Sequence, residues 1–240
     1  PMNAIIGFTT LAVSNIDDKE RVKDYLTKTL ASSKHLLSLI NDVLDMSKLE
    51  AGQMVMEQEP FDIEVLLHDV SSLVEAQIEK DGLTHHRHRE NIQHTALVGS
   101  SLKLRQIMVN LFSNAIKYTP EGGRVDFTMT ELPGETPGTV RYKAVVQDDG
   151  IGIPEDKLAT IFDGTGSSSN SDSSRGMGIG LSICKTIVAA HDGTITACNI
   201  PGEVPTGHHF RHPIPAPCGA EFSFTLPRGD YSHTVSEEPL

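Results

Sequence analysis

Apolar side chains recur at helical spacing over residues 26–44, and this pattern constrains the fold more than any other feature. Steps of three, four and seven residues are the period of one helix face. They are taken by Leu26, Leu30, Leu37, Ile40 and Leu44. A shorter helix is predicted over 2–13, before a polar break at 15–19. Two such helices with a short connection form an antiparallel hairpin that cannot cover its own apolar face.

A partner for this hairpin is therefore expected. Pairing with a second copy through residues 2–49 would give a four-helix bundle and a homodimer. The alternative is packing against the rest of the same chain.

Beyond Ala51-Gly52, which is expected to end the second helix, helices alternate with strands. Helices are predicted over 63–80, 102–118, near 157 and from 176 to about 191, and strands over 54–61, 83–89, 125–129, 140–146, 194–198 and 221–226. Pro60 is expected to stop the first strand, and the turn-rich stretch 132–138 to join a hairpin. This order implies an α+β protein with a helical layer on one face of a mixed sheet. The predicted parts are a helical hairpin, 1–52, a two-layer α/β sandwich, 53–228, and a flexible tail, 229–240.

Net charge, cysteine content and the length of apolar stretches limit the classes of partner and the cellular compartment that are expected. A net charge of −12 leaves no basic patch for a run of phosphates, which argues against nucleic acid. Three cysteines without a C-x-x-C spacing argue against a disulfide framework and a zinc ribbon, so a reducing, cytoplasmic setting is expected. No apolar stretch approaches about 18 residues, so this chain is expected to make no membrane contact. Its start at Pro1 indicates a piece of a longer protein, which could itself be anchored in a membrane.

The helix predicted over 102–118 carries a polar stripe beside its apolar one. Asn110, Asn114 and Lys117 lie at positions i, i+4 and i+7. Amide oxygens can ligate a hard divalent cation while a lysine reaches the phosphates that the cation bridges. A solvated helix face would give the same stripe and is favoured for the stripe alone, although asparagine is a poor helix former and two on one face call for a reason.

A first glycine motif, Asp148-x-Gly150-x-Gly152, follows a predicted strand. It places a carboxylate at the strand's end and glycines where backbone approaches another group closely. A buried aspartate there can accept a hydrogen bond from an exocyclic amine such as that of adenine. A simple turn after the strand is the alternative, because short glycine motifs are weak signals.

A second glycine motif, Gly176-x-Gly178-x-Gly180, directly precedes a predicted helix. Backbone N–H groups at such a helix start form a general anion site. The motif is neither a dinucleotide fingerprint nor a P-loop, because the acidic residue and the Gly-Lys-Ser/Thr that those require are missing. The hydrophilic stretch 164–175 before it, which ends in Arg175, can act as a lid or be an ordinary loop.

Together these motifs resemble the ATP-binding domain shared by sensor histidine kinases, type II topoisomerases, MutL and the heat-shock chaperone of that superfamily. Residues 104–123, LRQIMVNLFSNAIKYTPEGG, resemble the N box of the kinases. Residues 148–154 and 176–183 resemble the two glycine boxes, and residues 1–8, PMNAIIGF, the downstream half of the H box. The resemblance implies a Bergerat-type ATP-binding fold after a dimerising helical hairpin. It also implies transfer of the ATP γ-phosphate to a histidine, for relay to an aspartate of a response-regulator receiver domain.

Residue by residue, the resemblance implies a site for ATP and Mg²⁺. Asn114 would ligate Mg²⁺, Asn110 would support the metal and the phosphates, and Asp148 would bind the adenine amine. Further nucleotide contacts are implied for Lys117, Tyr118, Gly150, Gly152, Arg175, Gly176, Gly178, Gly180 and Leu181. Hydrolytic members carry a water-activating glutamate at the position of Asn110, so phosphoryl transfer is favoured here over hydrolysis.

The chain also departs from the family's pattern. The phosphoacceptor histidine stands five residues before the H-box proline, hence upstream of Pro1, so this chain alone is not expected to autophosphorylate. Phe162-Asp163 begins like the F box, but Gly164-Thr165-Gly166 replaces its second aromatic residue. The stretch 201–217 is longer than the family's turn and has no assigned role. A non-catalytic, dimeric nucleotide-binding scaffold and an ATP hydrolase therefore remain as alternatives.

Histidines at 85–88 and 208–212 could indicate a metal site. Alternation along a strand would split the first group between two faces, and the second lies in a predicted irregular loop, so solvated surface is favoured for both. His35 has no acidic neighbour at helical spacing and is a poor substitute phosphoacceptor.

Overall fold

The N-terminal unit consists of two helices. The computed structural model describes residues 1–50, 57–135, 139–163, 179–200 and 220–227. Helix α1 spans Met2–Ser14 and helix α2 spans Lys19–Glu50. Between them, the Asn15 side chain donates to a carbonyl of the last turn of α1, and the Asp18 carboxylate accepts from a main-chain N–H in the first turn of α2. These bonds end one helix and cap the next.

The two helices form the predicted antiparallel hairpin. Phe8, in the second half of α1, stacks on Tyr25, near the start of α2, with ring centroids 6.5 Å apart. Most of the apolar stripe on α2 stays open, since Leu26, Leu30 and Leu37 are each more than half exposed. The hairpin therefore does not cover its own apolar face, as the sequence pattern indicated.

The second unit contains the strands and the remaining helices. In chain order they are β1 Glu59–Asp62, α3 Ile63–Lys80, β2 Thr84–Glu90, β3 Ala96–Gly99, α4 Ser101–Tyr118, β4 Arg124–Pro133, β5 Val140–Asp148, α5 Glu155–Leu158, α6 Ile179–Ala189, β6 Thr194–Asn199 and β7 Ala220–Pro227. Five strands form one sheet in the order β2-β4-β5-β7-β6. Strand β2 runs parallel to β4, and the other neighbours are antiparallel. The predicted α+β class with a mixed sheet is confirmed.

One face of this sheet is buried under helices. Alternate residues of β4 and β5 are buried, namely Val125, Phe127, Met129, Tyr142, Ala144 and Val146. Phe112 of α4 packs on Phe127 with ring centroids 5.6 Å apart. The start of α3 is fixed by Asp62, whose carboxylate accepts two main-chain N–H bonds from the first turn of that helix.

Two details of the strand prediction were wrong. Pro60 does not stop β1, which runs through it to Asp62. Within the described ranges, strand β1 pairs only with β3 in a separate two-stranded sheet, and a proline without an N–H is tolerated at such an edge. Strand β3 was not predicted, because its four residues are too few to show a periodicity. The expected helix end at Ala51-Gly52 and the start of the first strand lie outside the described residues.

None of the helices within the described ranges is both long enough and apolar enough to cross a bilayer.

Candidate functional site

Helix α4 presents the polar stripe along the margin of its buried face. Its buried residues are Leu104, Ile107, Met108, Leu111, Phe112, Ala115 and Ile116. Asn110 and Asn114 are half-buried beside them, whereas Lys117 is exposed. The Lys117 ammonium lies 5.0 Å from the ring centre of Tyr118, which is itself 39% exposed. The polar stripe thus lies at the boundary between the core and the solvent, where a bound molecule can contact it.

The amide of Asn110 is oriented by helix α6. Its Nδ2 donates to the Gly180 carbonyl at 3.3 Å and to the Cys184 sulfur at 3.8 Å. Cys184 is fully buried, so this contact lies inside the protein. Because both hydrogen bonds use the amide nitrogen, the amide oxygen is the atom of Asn110 that can ligate a cation.

Asp148 ends β5 on the buried side of the sheet. It continues the alternation of buried residues along that strand and is only 5% exposed. Its Oδ1 accepts from the main-chain N–H of Gly150 at 3.0 Å and of Ala220 at 3.3 Å. Burial raises the pKa of Asp148 to about 6; the charge of Asp149 acts in the same direction, and the two hydrogen bonds oppose it. At neutral pH the residue is a largely buried, negatively charged acceptor.

The segment after Asp148 is packed against the end of α4. A Cβ on Gly150 would lie 2.4 Å from the Tyr118 carbonyl oxygen, so no other residue fits there without movement. The Ile151 N–H donates to the same oxygen at 3.2 Å. Gly152 has a φ of +69°, in the left-handed region that favours glycine. The close approach made by Gly150 is therefore to the protein's own backbone.

Part of the second glycine motif lies outside the described residues, namely Arg175, Gly176 and Gly178. Gly180 and Leu181 are described, and both are half-buried in the first turn of α6. A Cβ on Gly180 would lie 3.5 Å from the Asn110 side chain, an ordinary contact distance. At this position, packing does not require glycine.

The residues that resemble the F box contact α6 and the sheet. Phe162 packs edge-to-face on Phe222 of β7, with ring centroids 6.3 Å apart. The Asp163 carboxylate pairs with Lys185 of α6 at 3.0 Å, an exposed ion pair. Residues 164–166, where the family has a second aromatic residue, lie outside the described part.

The sequence favours solvated surface for the histidines at 85–88, but His85 is partly buried. The ring of His85 packs edge-to-face on Phe112, and its Nδ1 lies 2.8 Å from the Val125 carbonyl oxygen. Burial lowers the pKa of His85, so the neutral ring donates from Nδ1. His86 pairs instead with Asp126 at 3.1 Å. Within the described residues no cluster of side chains could hold a metal through His, Cys, Asp or Glu, and the group at 208–212 lies outside them.

Comparisons with known proteins agree with this arrangement. Residues 99–230 match the family of histidine kinase-, DNA gyrase B- and HSP90-like ATPases. The chain belongs to this family. Residues 1–52 match the His Kinase A (phospho-acceptor) domain, and together the two matches confirm the predicted sensor histidine kinase.

Individual histidine kinase relatives cover most of this chain. The sensor protein GacS of Pseudomonas syringae pv. syringae is 37% identical over 207 residues, 85% of this chain and 22% of that protein. The signal transduction histidine-protein kinase BarA of Escherichia coli K12 is 34% identical over 198 residues, 82% of this chain and 21% of that protein. The crystal structure of full-length ShkA in complex with AMPPNP has a TM-score of 0.63 at 30% identity, and the match covers 87% of this chain and 39% of that one. The chain therefore spans about a fifth of the length of these curated relatives.

The matched ATPase family, together with the AMPPNP complex of ShkA, supports ATP as the nucleotide of this histidine kinase domain. Sequence reasoning missed three residues that hold the site together: Cys184, which contacts Asn110, Ala220, which donates to Asp148, and Asn199, whose contacts are described below. No local signal marks them, because each acts on a residue at least 46 positions away.

Proposed function

We propose that this chain binds Mg²⁺-ATP and transfers the γ-phosphate to a histidine of a phosphoacceptor helix, for relay to an aspartate of a response-regulator receiver domain. The buried carboxylate of Asp148 carries the proposal. It is held by two main-chain N–H groups at the end of β5, and the segment after it packs on the end of the amide-bearing helix α4. As an acceptor, it fits the exocyclic amine of adenine and disfavours guanine, which presents a carbonyl at that position.

The asparagines of α4 fit a hard divalent cation. Amide oxygens are suitable Mg²⁺ ligands, and the amide nitrogen of Asn110 is already used in contacts with α6. We assign Asn114 as a Mg²⁺ ligand and Asn110 as support for the metal and the phosphates. Bound Mg²⁺ would neutralise charge on the phosphates. Lys117 is exposed and can move from the Tyr118 ring to contact a phosphate oxygen.

Phosphoryl transfer fits this site better than hydrolysis. Asn110 stands where hydrolytic members carry a glutamate, and an amide has no basic electron pair with which to take a proton from water. We propose that Gly150 and Gly152 shape the base side of the site. We assign Gly176, Gly178 and Gly180 to a lid hinge at the helix start that binds phosphate, and Arg175 and Leu181 to further nucleotide contacts.

The helical hairpin supplies the second half of the proposal. Its apolar face stays open within the described hairpin, and a second copy would cover it in a four-helix bundle. We therefore propose a homodimer through residues 2–49. We also propose that the helical hairpin covers residues 1–52, the α/β sandwich 53–228 and the C-terminal tail 229–240, and that the protein is cytoplasmic.

Calorimetry and a transfer assay test these roles. Wild type should bind Mg²⁺-ATP and discriminate against GTP. Asn114→Ala should weaken Mg²⁺-ATP binding by more than about tenfold, since hydrogen bonds and ligand contacts to charged groups are worth about 1.5–3 kcal/mol. Ser113→Ala, an exposed neighbour on the same helix, should leave binding unchanged. Mixed with ATP and a kinase-dead partner that retains its H box, the chain should label that partner's histidine.

The outcome of this assay also separates the alternatives. Absence of any heat with ATP would reject the nucleotide site. Binding of ATP without labelling of the partner would instead favour a non-catalytic scaffold, the function to which Gly164-Thr165-Gly166 in place of the second F-box aromatic points. Steady ATP turnover that Asn110→Ala abolishes would favour a hydrolase.

A further inference from the structure

The segment that follows Asp148 is clamped at its far end by one side chain. Ile153 comes directly after Gly152, and both of its main-chain polar groups bind the Asn199 amide. The Ile153 N–H donates to Asn199 Oδ1 at 2.7 Å, and Asn199 Nδ2 donates to the Ile153 carbonyl at 2.7 Å. Asn199 is the last residue of β6, so its side chain extends the hydrogen bonding of the sheet to a segment that is not a strand.

An amide suits this contact because its donor and its acceptor lie side by side and can face the N–H and the C=O of one residue at the same time. A carboxylate at 199 would keep the acceptor for the Ile153 N–H but would place a second oxygen against the Ile153 carbonyl. An alanine would leave both main-chain groups without their partner. The pair of short bonds therefore depends on asparagine itself.

The same end of the sheet holds both ends of the segment. Asn199 pairs in register with Ala220 of β7, and the Ala220 N–H donates to Asp148 Oδ1. Asn199 thus binds Ile153, while Ala220, its partner on β7, donates to Asp148. The stretch between them contains Gly150 and Gly152, and glycine has more conformational freedom than any other residue. Within the stretch, the main-chain N–H groups of Asp149 and Ile151 donate to the carbonyls of Arg124 and Tyr118, so Asn199 is what holds the part after Ile151. Without Asn199, Gly152 and Ile153 would sample more conformations.

We propose that Asn199 is a positioning residue for nucleotide recognition, which fixes the far end of residues 149–152 beside the base-binding carboxylate without touching the nucleotide. The inference rests on the proposed binding of the base by Asp148. Its consequence is selective: losing Asn199 weakens binding of the base and leaves binding of the phosphates as it was, because Asn110, Asn114 and Lys117 lie on α4 and have no described contact with Asn199.

Three ligands separate these effects: Mg²⁺-ATP, adenosine, which has the base without phosphates, and Mg²⁺-tripolyphosphate, which has the phosphates without the base. Calorimetry or NMR titration gives the dissociation constant of each for wild type and Asn199→Ala. We expect Asn199→Ala to weaken ATP and adenosine by about tenfold, because the segment that Asn199 orders in the free protein would then be ordered only on binding, at the entropic cost of fixing about one residue's main chain. Binding of tripolyphosphate should stay within twofold of wild type, roughly the error of such titrations. Asn199→Asp should weaken ATP at least as much.

Cys198→Ser is the matched control, because Cys198 is the preceding residue of β6 and is exposed. Equal weakening of ATP and tripolyphosphate by Asn199→Ala would show a general structural defect and overturn the inference. So would wild-type ATP affinity in Asn199→Ala. If Asn199→Ala does not fold, Asn199→Ser, which retains one polar group, replaces it. The inference then requires that Asn199→Ser weakens ATP more than tripolyphosphate, and equal weakening of the two overturns it.

Asp148→Asn separates this inference from the proposed function. Weaker ATP binding in Asp148→Asn with no change in Asn199→Ala would overturn the inference alone. Unchanged ATP binding in Asp148→Asn would overturn the proposed function and the inference together.

Discussion

Replacing Asp148 by asparagine should stabilise the nucleotide-free protein while it weakens ATP binding. The pKa of Asp148 is raised by burial from 3.8 to about 6. A pH unit corresponds to about 1.4 kcal/mol, so the ionised carboxylate destabilises the fold by about 3 kcal/mol at pH 8. Asparagine keeps an oxygen that accepts from Gly150 and Ala220 but carries no charge. We therefore expect the free energy of unfolding of Asp148→Asn to exceed that of wild type by about 3 kcal/mol at pH 8.

The sign of the pH dependence follows from the same shift. Because the pKa is higher in the folded protein, the folded wild type takes up its proton first as the pH falls, and the destabilisation is relieved. The advantage of Asp148→Asn should then shrink to about 1.5 kcal/mol at pH 5 and vanish below the unfolded value of 3.8. Comparison of the two proteins at each pH removes the contribution of the other carboxylates.

Urea unfolding without nucleotide, followed by circular dichroism at pH 8 and pH 5, measures both values. Asp156→Asn, which removes an exposed carboxylate of α5, serves as control and should change the free energy of unfolding by less than about 0.5 kcal/mol. If Asp148→Asn is no more stable than wild type at pH 8, or if its advantage does not narrow at pH 5, burial does not destabilise this carboxylate and the reasoning is refuted.

Two further predictions concern other parts of the α/β unit. Gly150→Ala should destabilise the protein by about 2–3 kcal/mol, because its Cβ would overlap the main-chain oxygen of Tyr118. Gly180→Ala, whose Cβ would be in ordinary contact with Asn110, should be neutral or stabilise by up to about 1 kcal/mol. Urea unfolding of the two variants checks both values, and equal losses of stability would contradict the packing argument. Glu131→Gln should destabilise by about 2 kcal/mol at pH 7, because the buried carboxylate accepts from the ring and the main chain of His94. Burial alone would raise the pKa of Glu131, but these hydrogen bonds lower it below 4.5. The destabilisation by Glu131→Gln should therefore disappear as the pH falls through the lowered pKa of the folded protein. A destabilisation that is the same at pH 7 and pH 3 would contradict this prediction.

Local patterns predicted much of the fold. The apolar stripe of α3 and the capping carboxylate of Asp62 lie close together in sequence, and the observed helix, Ile63–Lys80, has the predicted limits. The alternation along β5 places Asp148 on the buried face, which a period of two already implies. The asparagine stripe of α4 follows from helical spacing alone. In each case, neighbours within a few residues determine the structure.

Contacts between distant residues could not be predicted in this way. Parallel pairing joins Thr84 to Arg124, and nothing within either strand specifies that partner. The first glycine motif indicated a close approach of the backbone to another group but did not identify that group, which for Gly150 is the Tyr118 carbonyl. The Asn199 clamp spans 46 residues, and an asparagine at the end of a strand has no sequence signature that would predict it.

The order of strands in the sheet has a consequence for biosynthesis. Strand β7 lies between β5 and β6 in the sheet but is translated after both. Strand β6 therefore cannot pair with the sheet until residues 220–227 have left the ribosome. The Ala220 N–H, which Asp148 requires, arrives with the same strand. On the proposed function, ATP can therefore stabilise this domain during synthesis only after residues 220–227 have emerged from the ribosome.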